Sequence, residues 1–149
     1  MKYKLMLWCS LVMSGCSALP AVYNPNNIPN ENLSRIYTFP NISFFEQKYH
    51  AWIEYIWDDS GTEITNRNAW EHGKMKMYAL PSGTYTVQAS CFDGAREANP
   101  KSQIRVEPSK LYEISCVVKK GKMLGLNVDM YATIEIKEIT QSEVDAHLK

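Results

Sequence analysis

Apolar and polar residues alternate along most of the chain after Arg35, and the longer periodicity of helices is missing. The clearest alternation runs from Tyr85 to Cys91, where threonine, glutamine and serine separate the apolar residues. A half-buried strand has this pattern, because successive side chains point to opposite faces of a sheet. Weaker forms of it predict strands over residues 35–39, 48–57, 75–80, 103–106, 111–119 and, as one or two strands, 124–139.

Turn-forming residues separate these segments at short intervals. Asp58-Asp59-Ser60-Gly61 and Pro81-Ser82-Gly83-Thr84 have the composition of tight reversals. About seven short strands joined by such turns predict an all-β fold, a small antiparallel β-sandwich or small barrel, of which we expect the sandwich. Near the end, Thr140 and Glu143 have the spacing of a capping box and predict one helical turn over residues 140–147.

The strand predicted over residues 48–57 is apolar on both faces. Strict alternation places one set of side chains together: Tyr49, Ala51, Ile53, Tyr55 and Trp57. The opposite face then carries Trp52 and Ile56. One face belongs to the core, and the other is either covered within the domain or presented to a partner. In the second case, Trp52 is the residue expected to contact a protein or a glycan.

The first fifteen residues follow a different pattern from the rest. Lys2 and Lys4 precede an apolar, uncharged run over residues 5–13, and Ser14-Gly15 follow it. This is the layout of a secretory signal peptide, and the run is too short to span a bilayer as a helix. The alternative is a buried first strand or helix, which the lysines at the start of the chain disfavour.

Met13-Ser14-Gly15-Cys16 resembles the lipobox of bacterial lipoproteins, in which a cysteine follows an apolar residue and two small residues. The resemblance implies that residues 1–15 are removed and that Cys16 then carries acyl chains on its sulfur and its amino group. It also implies attachment to the outer membrane, because Ser17 stands where an aspartate tends to retain enteric lipoproteins in the inner membrane. The periplasmic face is the expected side, and the inner membrane is the alternative. An ordinary core cysteine is the alternative for Cys16.

Residues 17–33 contain three prolines and five asparagines and lack a periodic apolar face. This composition predicts a flexible spacer between lipid and domain. The alternative is an ordered arm that docks on the domain through Val22-Tyr23 and Ile28. The expected organisation is a signal peptide, a lipidated cysteine with its tether, and a β-sandwich, at residues 1–15, 16–33 and 34–149.

The 149 residues include 16 bases and 16 acids, so the formal net charge is zero. Loss of Lys2 and Lys4 with the signal peptide leaves 14 bases against 16 acids, a net charge near −2. This balance argues against nucleic-acid binding, which needs a clustered positive surplus. It also provides no attraction to anionic lipid, so the membrane attachment is expected from the acyl chains.

Two of the four cysteines, Cys91 and Cys116, remain once Cys9 leaves with the signal peptide and Cys16 takes lipid. Both lie on inward faces of predicted strands, and in an oxidising periplasm they are expected to form a disulfide. Two reduced core thiols are the first alternative, and metal or redox chemistry is the second.

The other chemically capable side chains belong to no catalytic or metal-binding motif. The histidines His50, His72 and His147 stand apart, and neither a nucleophile elbow nor a phosphate-binding loop occurs. The acidic segment 58–63 lacks the length and alternation of a calcium loop and is interpreted as a hairpin turn. No cofactor or metal ion is expected. A periplasmic hydrolase is the enzymatic alternative, and it requires a cleft that pairs His50 or His72 with a carboxylate.

Residues 80–87 and 104–112 resemble segments of small PEGA-type and transthyretin-like β-sandwiches of bacterial surface proteins. In those domains a proline–glycine turn leads into one strand, and a second turn precedes an aromatic-bearing strand. The likeness covers residues 75–120 and carries no functional residues. Together the two resemblances imply a membrane-anchored, non-enzymatic binding or structural module of the cell envelope, with a protein or glycan partner. Two narrower versions are an accessory lipoprotein of type VI secretion and an immunity or inhibitor lipoprotein.

Overall fold

The computed structural model describes residues 21–39, 49–65, 77–92 and 96–148. These residues form nine strands in two sheets, a 3-10 turn at Asn30–Asn32 and one α-helix, α1, at Gln141–His147. The strands are β1 Ala21–Val22, β2 Ser34–Tyr37, β3 His50–Trp57, β4 Met77–Leu80, β5 Gly83–Phe92, β6 Glu97–Ala98, β7 Lys101–Val106, β8 Leu111–Met123 and β9 Leu126–Ile139. The predicted all-β sandwich is therefore confirmed. The predictions for residues 1–15, Cys16 and His72 lie outside the described residues.

The two sheets differ in how their strands pair. The second sheet is antiparallel throughout, with β5 paired to β3, β6 and β7. The first sheet has the order β1-β4-β2-β8-β9, and in it β1 pairs with β4 and β2 with β8 in parallel. The expectation of an antiparallel sandwich thus holds for most pairs. The two exceptions join strands that are far apart in the sequence, where the alternation pattern specifies no partner.

The core lies between the sheets and is built from their inward-facing residues. The alternation predicted for β5 is confirmed, because Tyr85, Val87, Ala89 and Cys91 are all buried. Ile53 and Ile56 of the neighbouring strand β3 belong to the same cluster, as do three side chains of the facing sheet, Ile36, Tyr78 and Leu80.

A β-bulge at Glu54 changes which side chains of β3 face the core. The register shifts between Ile53 and Tyr55, so Ala51, Ile53 and Ile56 are the buried side chains of this strand. A bulge places two residues opposite one on the partner strand and reverses the alternation beyond it. The prediction that Tyr55 and Trp57 share a face with Ile53 is therefore wrong, and both rings lie on the outer face.

Residues 21–33, termed here the N-terminal arm, pack against the first sheet. The strand β1 pairs with β4 at the edge of the sheet, and Tyr23 packs against the core. The Asn24 side chain closes the following turn, since it donates to the Ile28 carbonyl at 2.7 Å and accepts from the Ile28 amide at 2.8 Å. Leu33 is only 1% exposed.

The structure thus replaces the expected flexible spacer with an ordered arm over residues 21–33. Ile28 remains partly exposed and Val22 is exposed, so Tyr23 is the docking residue among the three proposed for the alternative. The folded part therefore includes residues before 34, and residues 16–20 of the predicted lipidated cysteine and tether lie outside the described residues.

The short helix α1 covers part of the outer face of the first sheet. Its N-terminus has the predicted capping box, with Thr140 as N-cap and Glu143 as its reciprocal partner. The helix buries Val144, and the His147 ring stacks on Phe39 at 4.2 Å between centroids.

One end of the sandwich, termed the turn pole, is closed by the turns after β3, β4 and β7. Three core tyrosines reach these loops with their hydroxyl groups. Tyr78 donates to the Ile64 carbonyl at 2.6 Å, and Tyr85 donates to the Pro81 carbonyl at 3.0 Å. The hydroxyl of Tyr112 accepts from the Glu107 amide at 3.0 Å. Each buried hydroxyl is thereby satisfied, as burial of a polar group requires.

The opposite end, termed the hairpin pole, carries the long hairpin of β8 and β9. These strands pair over residues 111–123 and 126–139, whereas β2 accompanies β8 only from Leu111 to Glu113. Among the described residues, residues 119–131 extend beyond the other strands of the first sheet and are termed the hairpin extension. The sequence predicted the end of β8 at residue 119, four residues before its actual end at Met123.

Candidate functional site

A disulfide between Cys91 of β5 and Cys116 of β8 joins the two sheets at the hairpin pole. Their Cα atoms are 5.8 Å apart, and 25 residues separate them in the sequence. This distance lies in the ordinary range for a disulfide. The predicted disulfide is therefore confirmed, and the alternatives of free thiols or a metal site do not describe this pair.

A groove of about 340 Å³ lies beside the disulfide, between the beginning of β3 and the middle of β8. Its walls include the aromatic residues Phe39 and Tyr49 and the polar residues Glu113, Ser115 and Lys120 of β8. The groove therefore combines apolar walls with a carboxylate, a hydroxyl and an ammonium, and no histidine is among its described lining residues.

The enzymatic alternative needs a histidine paired with a carboxylate, and the structure bears on His50 and His147. In the described part of the chain, no hydrogen bond or ion pair joins His50 to a carboxylate, and its buried Nδ1 has no hydrogen-bond partner. The other described histidine, His147, stacks on Phe39. The geometry assembles neither of them into a catalytic pair.

The acidic turn after β3 uses its oxygen atoms within the turn. The Asp58 carboxylate accepts from the amides of Ser60 at 3.0 Å and Thr62 at 2.9 Å, and from the Ser60 hydroxyl at 2.6 Å. The hydroxyl bond, followed by the amide of Thr62, holds the pKa of Asp58 below its ordinary value. Gly61 supplies the positive φ of 81° in this turn. The interpretation as a hairpin turn is confirmed, and within the described ranges no group of three His, Cys, Asp or Glu side chains is placed to hold a metal ion.

The candidate binding surface is the outer face of the second sheet, termed the aromatic face. It combines half-buried rings of β3, namely Trp52, Tyr55 and Trp57, with side chains of β5 and β7. The rings of Tyr55 and Trp57 stack at 5.4 Å between centroids, with 26° between their planes. The bulge produces this stack, because it brings Tyr55 and Trp57 to the side on which Trp52 lies.

Polar groups surround the rings of the aromatic face. The Lys101 ammonium of β7 lies 4.2 Å from the centroid of the Trp57 ring, within the range of a cation–π contact. The Gln88 amide of β5 donates to the Glu54 carboxylate at 2.7 Å. Flat rings bordered by an ammonium, an amide and a carboxylate are suited to stack on a planar or apolar surface and to hydrogen-bond its edges.

The sequence identified one residue of this face and missed two. Trp52 was the proposed partner contact, and it lies on the outer face as a half-buried side chain with contacts inside the domain. Tyr55 and Trp57 were assigned to the core because strict alternation ignores the bulge. The spacing of the apolar residues Ala51, Ile53 and Ile56 indicates the bulge. One residue lies between Ala51 and Ile53, as in regular alternation, whereas two residues lie between Ile53 and Ile56.

Comparison of the chain with protein-family models, with curated proteins and with solved structures finds no match. The likeness to PEGA-type and transthyretin-like domains therefore stays a resemblance of turns and strands. Among the described helical residues, no helix is both long enough and apolar enough to cross a bilayer.

Proposed function

We propose that the protein is a lipid-anchored, non-enzymatic binding module of a bacterial envelope. The observation that carries this proposal is the N-terminal pattern: two lysines, an apolar run and Met13-Ser14-Gly15-Cys16. Cys16 precedes the first residue of β1 by five positions. On this proposal the acyl chains of Cys16 hold the sandwich close to the outer membrane at its periplasmic side.

The disulfide supports a compartment outside the cytoplasm. Structural disulfides persist in oxidising compartments such as the periplasm and are rare where glutathione and thioredoxin keep thiols reduced. Closure of a loop of this size stabilises a fold by about 3.5 kcal/mol in the chain-entropy model. A small domain benefits from such a link, because its core is limited in size.

The aromatic face supports binding as the activity. Tryptophan and tyrosine dominate the energetics of interfaces, because they offer a large rigid surface with few rotatable bonds. The mixture of Trp57, Lys101, Gln88 and Glu54 fits a partner that has both a flat apolar surface and polar edges. An envelope protein and an envelope glycan both have such surfaces.

The anchor is tested by metabolic labelling with palmitate and by cell fractionation. The native chain should incorporate palmitate and sediment with the outer membrane, and Cys16→Ser should do neither. Globomycin, which blocks the signal peptidase of lipoproteins, should cause the uncut precursor to accumulate. A native product that carries no palmitate, or that remains in the soluble fraction, would falsify the proposal.

The binding face is tested by crosslinking in whole cells followed by mass spectrometry. Trp57→Ala should reduce the recovery of the crosslinked partner about tenfold or more, as expected for an aromatic anchor, while the variant remains folded. Glu135→Ala, at an exposed position of β9 in the other sheet, is the control and should keep the partner. If Trp52→Ala lowers stability and leaves the crosslink unchanged, Trp52 is a structural residue only.

A further inference from the structure

The turn at the tip of the hairpin extension holds an apolar residue where the backbone favours asparagine or glycine. Leu124 has a φ of 53° and Gly125 a φ of 81°. Positive φ at both central residues defines a type I′ turn, which selects Asn-Gly and similar pairs. Leu124 is also 95% exposed. Neither the folding of the turn nor packing within the chain accounts for a leucine here, which leaves a contact outside the chain as its role.

The charge of the hairpin extension differs in sign from that of the rest of the chain. Residues 119–131 include Lys119, Lys120 and Lys122 against one acid, Asp129, for a net charge of +2. The remainder of the chain from Cys16 onward then has 11 bases and 15 acids, a net charge of −4. The expected mature chain therefore has a small net charge but consists of a basic hairpin extension and an acidic remainder.

The pairing of the first sheet shows from which side the lipid-bearing segment enters. Ala21 pairs with Tyr78, Tyr78 with Ile36, and Ile36 with Tyr112. Along this series, β1 runs antiparallel to β8. Because β8 runs toward the hairpin tip, β1 runs away from it. The chain thus enters β1 at Ala21 from the side of the hairpin pole.

The covalent reach from Cys16 to Ala21 is shorter than the hairpin. Five residues span at most about 18 Å when fully extended. From Tyr112, at the level of Ala21, to Leu124 the strand covers about 40 Å. Measured along the strands, the hairpin tip therefore lies about 20 Å beyond the farthest position that Cys16 can reach. A ribbon with open edges cannot enter the hydrocarbon core, because its unpaired amides and carbonyls lose their hydrogen bonds there.

We infer that the hairpin extension is a second membrane contact, which lies on an anionic bilayer surface beside the lipid of Cys16. This inference rests on the proposed lipid anchor. Leu124 enters the interface between headgroups and acyl chains, and the three lysines contact anionic headgroups. The two contacts together fix the orientation of the sandwich, with the turn pole directed away from the membrane.

The test places an environment-sensitive NBD probe on the lipidated protein in vesicles. In Leu124→Cys the label attaches to the new thiol alone, since Cys91 and Cys116 are bonded and Cys16 is acylated. In vesicles of phosphatidylcholine and phosphatidylglycerol at 3:1, the emission should shift to the blue, and lipids with a doxyl quencher should quench it. Asp59→Cys carries the same probe at the exposed turn pole and is the matched control, which should report water.

The lysines are tested in the labelled background. Replacement of Lys119, Lys120 and Lys122 by glutamine should shift the equilibrium between contacting and detached hairpin about 100-fold toward detachment, at about five-fold for each lysine. Replacement of Lys101, Lys110 and Lys137 removes equal charge from the body and should leave the probe signal at position 124 unchanged. Vesicles of phosphatidylcholine alone should weaken the contact in the same way as the first triple variant.

The outcomes separate this inference from the anchor. Palmitate on Cys16 with a lipid signal at position 124 and none at position 59 supports both. Palmitate on Cys16 with equal signals at the two positions, or with no lipid signal at either, overturns the hairpin contact and leaves the anchor intact. If Cys16 carries no palmitate, the anchor is overturned and the hairpin inference with it.

Discussion

The two poles of the sandwich are stabilised by different kinds of interaction. At the turn pole, hydroxyl groups of core tyrosines and the Asp58 carboxylate hold the loops through hydrogen bonds to the main chain. At the hairpin pole, a disulfide joins the sheets, and the hairpin extension continues beyond the neighbouring strands of its sheet. Among the described residues, the turn pole is therefore held by several hydrogen bonds to the main chain, and the hairpin pole carries the covalent link between the sheets.

This difference separates a structural end from an end available for other contacts. At the turn pole, the Asp58 carboxylate and the hydroxyl groups of the core tyrosines are hydrogen-bonded to the main chain of the domain itself. The hairpin pole keeps an exposed leucine, Leu124, and three exposed lysines. The chain enters β1 from this same pole, so the proposed lipid anchor makes the hairpin pole the expected membrane-facing end.

Reduction of the disulfide should have the largest effect on stability. Dithiothreitol should lower the free energy of unfolding of the native protein by about 3.5 kcal/mol, because the unfolded chain regains the entropy of the closed loop. Urea unfolding measured with and without reductant gives this value. The double variant Cys91→Ala/Cys116→Ala is the control, and reductant should not change its stability.

Hydrogen exchange then locates the effect of reduction. Amides that exchange only by global unfolding should all exchange faster after reduction, because their rates follow the free energy of unfolding. Amides of β8 near Cys116 should in addition gain a local opening, while amides of the exposed turn around Asp58 are expected to exchange by local opening and to keep their rates. Equal acceleration of the Asp58 turn and of β8 would show that the disulfide has no local effect at the hairpin pole.

A single hydroxyl of the turn pole should have the next largest effect. Tyr78→Phe removes the donor to the Ile64 carbonyl in a side chain that is 2% exposed, and it leaves that carbonyl without this partner. The expected loss of stability is about 1–2 kcal/mol, measured by chemical denaturation. Tyr131→Phe makes the same chemical change in the hairpin extension, where the ring is 60% exposed, and should change stability by less than about 0.5 kcal/mol.

The same comparison explains how much of the fold is predictable from the sequence. The strand Tyr85–Cys91, the turn at Asp58 and the capping box of Thr140 were predicted, because each depends on residues within a few positions of one another. These features are specified locally, so one sequence contains the whole signal. The disulfide was also predicted, since after removal of the signal peptide and the lipidated cysteine only one pairing remained.

Features that depend on distant parts of the chain were missed. The parallel pairing of β2 with β8 joins residues 35–37 to residues 111–113, and alternation alone does not specify it. Docking of β1 on β4 likewise depends on an edge of the sheet that exists only after folding, so composition suggested a spacer instead. The aromatic face depends on the Glu54 bulge, which a strict two-residue period hides.

Substitutions at the hairpin tip should change stability by a smaller amount and in opposite directions. Leu124→Asn places a residue that tolerates positive φ at this turn and should stabilise the protein in water by about 0.5–1 kcal/mol. Gly125→Ala, at a φ of 81° in the same turn, should destabilise by a similar amount. Thermal denaturation in the absence of lipid measures both. A loss of stability in Leu124→Asn would mean that the leucine serves the fold, and the case for its contact with lipid would weaken.

The smallest effect concerns α1 and depends on pH. The Glu143 carboxylate accepts from the Lys137 ammonium at 2.8 Å and from the Thr140 amide at 2.7 Å, and these two bonds, with a further one from the Thr140 hydroxyl, lower the pKa of Glu143 to about 2. A carboxylate whose pKa is lower in the folded state contributes stability above its ordinary pKa, and this contribution is lost as the pH falls through the folded value.

The stabilising contribution of Glu143 should therefore be constant above about pH 5 and should disappear between about pH 4.5 and 2. The difference in melting temperature between the native protein and Glu143→Gln, measured across this range, should shrink toward zero at the acid end. Glu135→Gln removes the same charge from an exposed position of β9 and controls for net charge.

Because α1 packs on Phe39 through His147, loss of the cap should also loosen that stack. The turn at Asp58 should be unaffected by Glu143→Gln, because no described contact connects it with the helix. A difference in melting temperature that persists unchanged to pH 2 would show that the cap acts through the geometry of the helix terminus, and that the charge of Glu143 contributes nothing.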